Sequence, residues 1–306
     1  MIIDNLIEAI KRTKNPSVIG IDTAFSYLPS EMKQGVTTNA EAAKKILEFN
    51  KSIIDAIYDI VPAVKVQVAY YEAYGVDGMV AFRDTLNYSR SKGLITISDI
   101  KRNDIGATSA AYSSAYIGVN DIGVNAEFNS DYITLNSYLG TDGIKPFIDD
   151  CKRNDRGAFI LVRTSNPSSY EVQNIVTDKG NMIYEVMGNL VSGWGSELIG
   201  SYGYSNIGAV VGATHKAEAE RLRALMPKVF FLVPGYGAQG GKASDLEVCF
   251  DNNGLGAIVN SSRGILCAYQ KREGRSPAEA AREAALEMRE DIVGTLILNG
   301  KIKWLN

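Results

Sequence analysis

The residues best suited to chemistry in this chain are three charged side chains: Asp99, Lys101 and Asp104, spaced Asp-x-Lys-x-x-Asp. They follow the apolar run 94–98, which predicts a buried strand, and they precede a predicted helix. Side chains two residues apart in a strand point to the same face, so Asp99 and Lys101 are expected to lie side by side. Opposite charges there are costly to desolvate unless they pair or take part in a reaction. A solvated ion cluster is the simpler alternative, but the position between strand and helix favours an active site.

Predicted strands and helices alternate along the chain, and they would position these residues. Apolar runs predict eight strands, at 17–22, 61–68, from 94 onward, 132–136, 158–162, 207–211, 229–233 and 256–259. Helices are predicted at about 39–59, 71–92, 105–118 and 277–298, and residues 1–14 form an amphipathic helix rather than a targeting peptide. This alternation predicts parallel strands with right-handed crossovers. We expect a (β/α)8 TIM barrel of the α/β class, a single domain over 1–306 with an elaboration between strands 5 and 6.

The carboxyl ends of barrel strands meet at one mouth, where active sites of this architecture lie. Strand 1 brings Asp22 to this mouth, strand 2 brings Lys65, and strand 5 brings Ser165. The loops after strands 7 and 8 contribute a glycine-rich stretch, 235–241, and Arg263. Glycines let backbone N–H groups approach phosphate oxygens, and a guanidinium can bind them bidentately. A phosphate site is therefore predicted; the alternative for 235–241 is a plain flexible turn.

Several motifs, taken together, carry a resemblance to a known family. They are Asp99-x-Lys101-x-x-Asp104-Ile105-x-x-Thr108, Lys65 within Ala-Val-Lys-Val-Gln, Pro-Gly-x-Gly-Ala-Gln-Gly-Gly at 234–241, and Arg263. The chain resembles orotidine 5′-phosphate decarboxylase of the longer bacterial-type branch, over nearly the whole barrel. The resemblance implies a cofactor-independent carboxy-lyase of de novo pyrimidine biosynthesis that uses no metal. It would convert orotidine 5′-monophosphate to UMP and CO₂ through a C6 carbanion that Lys101 protonates.

The resemblance also implies roles for individual residues. Lys65, Asp99 and Lys101 would form an array of alternating charges, completed by Asp104 from the second subunit of a homodimer. The substrate-binding residues would be Asp22 at the ribose, Ser165 at the pyrimidine edge, Gln239, Arg263 and Gly235 at the phosphate, and Ile105 and Thr108 across the dimer interface.

Composition and the remaining residues narrow the function classes. A net charge of −3 argues against nonspecific nucleic-acid binding, and no apolar run approaches the length of a membrane span. The three cysteines, Cys151, Cys249 and Cys267, are scattered without metal-ligand spacing, which favours a reduced, cytoplasmic protein. His215 is the only histidine, and its place after strand 6 predicts a helix start rather than a catalyst. Two alternatives stay open: a metal-dependent enzyme of the same barrel group acting on a sugar phosphate, and a catalytically silent phosphate-binding barrel.

Overall fold

Eight parallel strands form a closed barrel in which each strand pairs with the next along the chain and β8 returns to β1. The computed structural model describes residues 1–237, 240–302 and 304. The strands are β1 (Ser17–Ile21), β2 (Ala63–Gln67), β3 (Ile95–Arg102), β4 (Tyr132–Leu135), β5 (Gly157–Arg163), β6 (Ile207–Val211), β7 (Phe231–Val233) and β8 (Ala257–Ser261). The predicted (β/α)8 barrel is confirmed.

Helices surround the barrel and close its amino-terminal end. They are α1 (Ile2–Thr13), α2 (Ser30–Lys33), α3 (Asn39–Ile57), α4 (Ala69–Glu72), α5 (Gly75–Ser91), α6 (Gly106–Tyr116), α7 (Thr141–Asn154), α8 (Tyr170–Gln173), α9 (Ile183–Trp194), α10 (Lys216–Leu225), α11 (Ala243–Leu246), α12 (Arg263–Leu266) and α13 (Pro277–Leu298). The elaboration between β5 and β6 consists of a short 3₁₀ turn, α8, α9 and two isolated β-bridges, Val176 with Met182 and Ile199 with Ser205. Within the described ranges, each helix is too short or too polar to cross a membrane.

The helix predicted at 71–92 is in fact two helices. α4 ends at Glu72 and α5 begins at Gly75, whose backbone φ of 62° lies in the left-handed region that glycine tolerates best. Tyr70 and Tyr71 both belong to α4: Tyr71 is fully buried in the core, whereas Tyr70 stays partly exposed. The short α4 therefore closes over the end of β2 before the main crossover helix starts.

The interior of the barrel changes from an apolar layer to a charged layer over two residues of each strand. Its lower layer packs against α1 and includes Val18, Ala63, Ile97, Tyr132, Phe159 and Ile258. Two residues further along each strand, side chains face the interior again. At that level β2 presents Lys65, β3 presents Asp99 and β4 presents Thr134. The apolar layer thus forms the floor on which the charged groups stand.

Candidate active site

A cavity of about 460 Å³ opens at the carboxyl ends of the strands, directly above this apolar floor. Its wall brings together seven of the residues predicted from the sequence: Asp22, Lys65, Asp99, Lys101, Ser165, Gly235 and Arg263. The charged residues come from β1 to β3, and the glycine and arginine come from the ends of β7 and β8. Since β8 pairs with β1, the two groups meet across a single cavity.

The charged side chains touch in an alternating series. The Nζ of Lys65 donates to Asp22 Oδ1 at 3.1 Å and to Asp99 Oδ2 at 2.7 Å. Lys101 Nζ donates to the other oxygen of Asp99, Oδ1, at 2.6 Å. The order is therefore acid, base, acid, base, with no two like charges in direct contact. Lys65 is the buried member, with 5% of its side chain exposed, whereas 45% of the Lys101 side chain is exposed and faces the opening.

The electrostatics of the two buried members follow from this order. Burial opposes the charge of Lys65, but the carboxylates of Asp22 and Asp99 outweigh burial and raise the pKa of Lys65 above its ordinary value. Burial by itself raises the pKa of Asp99, but the ammonium groups of Lys65 and Lys101 outweigh it and hold that pKa well below its usual range. Both groups are therefore fixed charges at neutral pH, present before any substrate arrives.

The backbone at Lys101 departs from the strand geometry expected from the sequence. Its φ of 47° lies in the left-handed region, which is uncommon for a residue with a long side chain. Pairing between β3 and β4 also shifts here, since Ser98 lies opposite Ile133 but Arg102 lies opposite Leu135. Four residues of β3 thus span the length of two residues of β4. The contact between Lys101 and Asp99 that strand alternation predicted is present, but a bulged, left-handed backbone produces it.

The opposite side of the cavity has the features of an anion site. Gly235 has a φ of 105°, a conformation that side chains rarely adopt, and its carbonyl accepts from the N–H of Gly241 at 3.2 Å. A Cβ on Gly241 would lie only 2.8 Å from that carbonyl oxygen, so the turn requires glycine there. Arg263 begins α12 and lines the same wall. Gln239, the other predicted phosphate ligand, lies outside the described residues.

Asp104, Ile105 and Thr108 lie apart from this cavity. None of them is among the described residues that line it. Asp104 Oδ1 accepts from the N–H of Ile105 at 2.8 Å, at the turn that enters α6, and 55% of Ile105 is exposed. Asp104 and Ile105 lie in the connection between β3 and α6, and Thr108 lies in the first turn of α6. Ile105 and Thr108 are exposed, and Asp104 is half-buried.

The cavity residues that were not predicted from the sequence include Tyr27, Tyr70 and Thr134. Thr134 stands level with Asp99 because Tyr132 pairs with Ile97, and this register between β3 and β4 is not contained in either segment alone. Tyr27 lies on the turn after β1, where no apolar period fixes the direction of a side chain. Tyr70 packs against the core and also forms part of the cavity wall.

Two further predictions concern metals and the histidine. His215 occupies the N-cap position of α10, at the helix start that its place in the sequence indicated, although its side chain makes no capping hydrogen bond. The described residues contain no group of three or more His, Cys, Asp or Glu side chains placed to hold a metal ion. At the cavity, Lys65 stands between the two acids where a cation would otherwise bind.

Comparison with known proteins agrees with this geometry. Residues 36–282 match the model of the orotidine 5′-phosphate decarboxylase / HUMPS family. The chain is 42% identical to an orotidine 5′-phosphate decarboxylase of Clostridium kluyveri, over 96% of this chain and 97% of that protein. It is 43% identical to the Clostridium acetobutylicum protein of the same name, over 97% of this chain and 100% of that one. The structure of Leishmania donovani OMP decarboxylase superposes with a TM-score of 0.74 at 26% identity, covering 97% of this chain and 98% of the other. The chain belongs to the orotidine 5′-phosphate decarboxylase / HUMPS family.

Proposed function

We propose that this protein decarboxylates orotidine 5′-monophosphate to UMP and CO₂, without a metal or an organic cofactor. The observation that carries the proposal is the series Asp22, Lys65, Asp99 and Lys101, in direct contact on one wall of a cavity. The far wall of that cavity is formed by Arg263 and a glycine turn. Its substrate therefore needs a phosphate at one end and, at the other, a carbon that gains negative charge.

The polar groups that line the cavity indicate how the nucleotide is held. We place the phosphate against Arg263 and the turn at Gly235, because both offer donors suited to phosphate oxygens. The carboxylate of Asp22 lies beside Lys65 and is suited to accept from ribose hydroxyls. Ser165 follows β5 and is suited to the pyrimidine edge. This orientation brings C6 of the pyrimidine toward Lys101.

The reaction then uses charges that are already fixed. The bond from C6 to its carboxyl carbon breaks, CO₂ leaves, and the electron pair stays on C6. Lys101 Nζ, with 45% of its side chain exposed at the opening, stabilises this carbanion and donates a proton to C6. Solvent returns a proton to Lys101. Asp99 contributes by holding Lys101 and by placing a negative charge beside the departing carboxylate.

We further propose that the working unit is a homodimer in which Asp104 enters the partner's site. Apolar side chains are exposed on the connections after β2, β3 and β4, which are neighbours in the barrel: Val76, Ile105, Ile122, Val124, Tyr138 and Leu139. Leu139 and the backbone of Asp104 both lie within 4 Å of the Cβ position of Gly143, so part of this surface adjoins Asp104 directly. Burying it against a second copy would bring Asp104, Ile105 and Thr108 toward the other cavity.

The metal-dependent sugar-phosphate alternative is less consistent with the site. An enediolate mechanism needs an acid from β2 next to the β3 acid, so that both can bind a divalent cation. Here β2 provides Lys65, whose ammonium group occupies the space between Asp22 and Asp99. A lysine in that position repels a cation and neutralises both of its potential ligands.

The deciding assay follows the loss of orotidylate absorbance by the purified protein in EDTA, with no added cofactor. We expect full turnover there and almost none for Lys101→Ala. Activity that returns only with Mg²⁺ would favour the sugar-phosphate alternative. Binding of UMP without release of CO₂ would favour the silent phosphate-binding barrel. Turnover of Lys101→Ala within about tenfold of wild type, a barrier change of only ~1.4 kcal/mol, would contradict the role of Lys101.

A further inference from the structure

We propose that Thr134 is a positioning residue for this reaction, because its hydroxyl connects the backbone of Lys101 to the carboxylate of Asp99. The inference rests on the proposed decarboxylation and adds a residue to its machinery. Thr134 belongs to β4, which contributes none of the charged groups. It is 1% exposed and lines the cavity at the level of Asp99.

Two hydrogen bonds define the contact. The backbone N–H of Lys101 donates to Thr134 Oγ1 at 3.0 Å, and Thr134 Oγ1 donates to Asp99 Oδ1 at 2.8 Å. The direction of the second bond is fixed, because an ionised carboxylate only accepts. The same Oδ1 atom also accepts from Lys101 Nζ at 2.6 Å. Lys101 is therefore tied to one oxygen of Asp99 twice, once through its ammonium group and once through its own backbone by way of Thr134.

The hydrogen bond from the Lys101 N–H to Thr134 holds a residue whose backbone conformation is unfavourable. A left-handed conformation is unfavourable for a non-glycine residue, and Lys101 adopts it at a φ of 47°. At this point the β3–β4 ladder is interrupted, so regular pairing does not hold Lys101 in place. The hydroxyl of Thr134 supplies an acceptor for the Lys101 N–H that the shifted register would otherwise leave to solvent. Thr134 thereby fixes the point from which the Lys101 side chain extends toward the substrate.

The bond to Asp99 has a second effect. The carboxylate receives three donors, two on Oδ1 and one on Oδ2, and this sets the rotation of its plane. Without the hydroxyl, the plane of Asp99 is held by the two ammonium groups alone, and the one on Lys101 is half exposed. Removal of the hydroxyl should therefore misplace both the charge beside the substrate carboxylate and the proton donor.

The test uses the full-length enzyme and three substitutions at this position. Thr134→Val keeps the shape and removes the hydroxyl, Thr134→Ser keeps the hydroxyl, and Thr134→Ala removes both hydroxyl and methyl groups. Thr96→Val is the matched control, since Thr96 is also a fully buried threonine bonded to a carboxylate, Asp131, but it does not line the cavity. For each variant we would measure kcat, KM, UMP affinity and the urea midpoint. Exchange of the C6 hydrogen of UMP in D₂O reports the same proton transfer in reverse.

We expect Thr134→Val to lower kcat by about 10- to 100-fold, the range typical of a misplaced catalytic group, with KM and UMP affinity changed less than about threefold. C6 exchange should slow with kcat, and Thr134→Ser should stay within about threefold of wild type. Thr96→Val should lose stability but keep kcat. A Thr134→Val enzyme with wild-type kcat, or one that changes KM alone, would overturn the inference.

The remaining outcomes are also decisive. If Thr134→Val does not fold, the comparison passes to Ser and Ala: equal kcat values in these two variants would refute the role of the hydroxyl. An inactive wild-type enzyme would instead count against the proposed function, independently of Thr134.

Discussion

Two lysines bind the same carboxylate, and the structure predicts that losing them lowers stability by unequal amounts. Lys65 makes two ion pairs, at 3.1 and 2.7 Å, with only 5% of its side chain exposed. Removing one partner of a buried pair costs about 3–5 kcal/mol, because the remaining charge stays buried. Asp22 is 22% exposed and can be hydrated, and Asp99 keeps Lys101, so we expect Lys65→Met to cost about 3 kcal/mol, at the low end of that range.

Lys101 makes a shorter contact, at 2.6 Å, but 45% of its side chain is exposed. Exposed pairs contribute at most about 1 kcal/mol, and Asp99 keeps Lys65 when Lys101 is removed, so Lys101→Met should cost less than about 1 kcal/mol. Both variants should lose turnover. Urea unfolding at one fixed protomer concentration measures the difference, since association affects apparent stability. Equal losses of stability, or a larger loss for Lys101→Met, would refute the reasoning from burial.

Four further results are expected. Arg263→Ala should raise KM about 10- to 100-fold, which corresponds to the roughly 1.5–3 kcal/mol of hydrogen bonds to a charged group. The same substitution should not affect the KM of a substrate that lacks the phosphate. Equal loss for both substrates would contradict the phosphate role. Mixing inactive Asp104→Ala subunits with inactive Lys101→Ala subunits should restore activity, because one site per mixed dimer regains both residues; a mixture that stays inactive counts against the shared site. Because folding lowers the pKa of Asp99, the contribution of Asp99 to stability is present above its unfolded pKa of about 3.9 and is lost as the pH falls further. Because folding raises the pKa of Lys65, the contribution of Lys65 is present below its unfolded pKa of about 10.4 and is lost at still higher pH. The stability loss in Lys65→Met, measured by urea titration, should accordingly be constant from about pH 5 to 9 and shrink below about pH 4.

The periodic parts of the fold could be predicted from the sequence. β6 (Ile207–Val211) and α13 (Pro277–Leu298) have the predicted bounds, because an apolar run and a helical period each determine their own limits. β2 was predicted at 61–68 and spans Ala63–Gln67, since the end of pairing depends on its neighbours. The contact of Lys65 with Asp99 was likewise predictable once both were placed on adjacent inward-facing strand positions.

The conformation of Lys101 and the contribution of Thr134 could not be predicted in the same way. The left-handed φ of Lys101 arises from a register shift between β3 and β4, which is a property of the pair and not of either segment. A threonine in a short strand is also a common β-former, so its residue type carries no chemical signal. Tyr27 is comparable, because the turn that places it on the cavity wall has no periodic pattern. Charged residues of a site are therefore more easily recognised in a sequence than the neutral residues that orient them.

The hydrogen bonds that the Asp99 carboxylate already accepts indicate how the proposed reaction is driven. The four charges of Asp22, Lys65, Asp99 and Lys101 sum to zero, and Asp99 already accepts from three donors. A substrate carboxylate brought beside Asp99 meets a like charge, and the ammonium groups of Lys65 and Lys101 already donate to Asp99, so this end of the cavity offers little attraction to the ground state. Attraction must come from the remote end, where Arg263 and the glycine turn face the phosphate. As CO₂ leaves, the repulsion at Asp99 is relieved and the new charge on C6 comes under Lys101, so the site favours the transition state over the bound substrate.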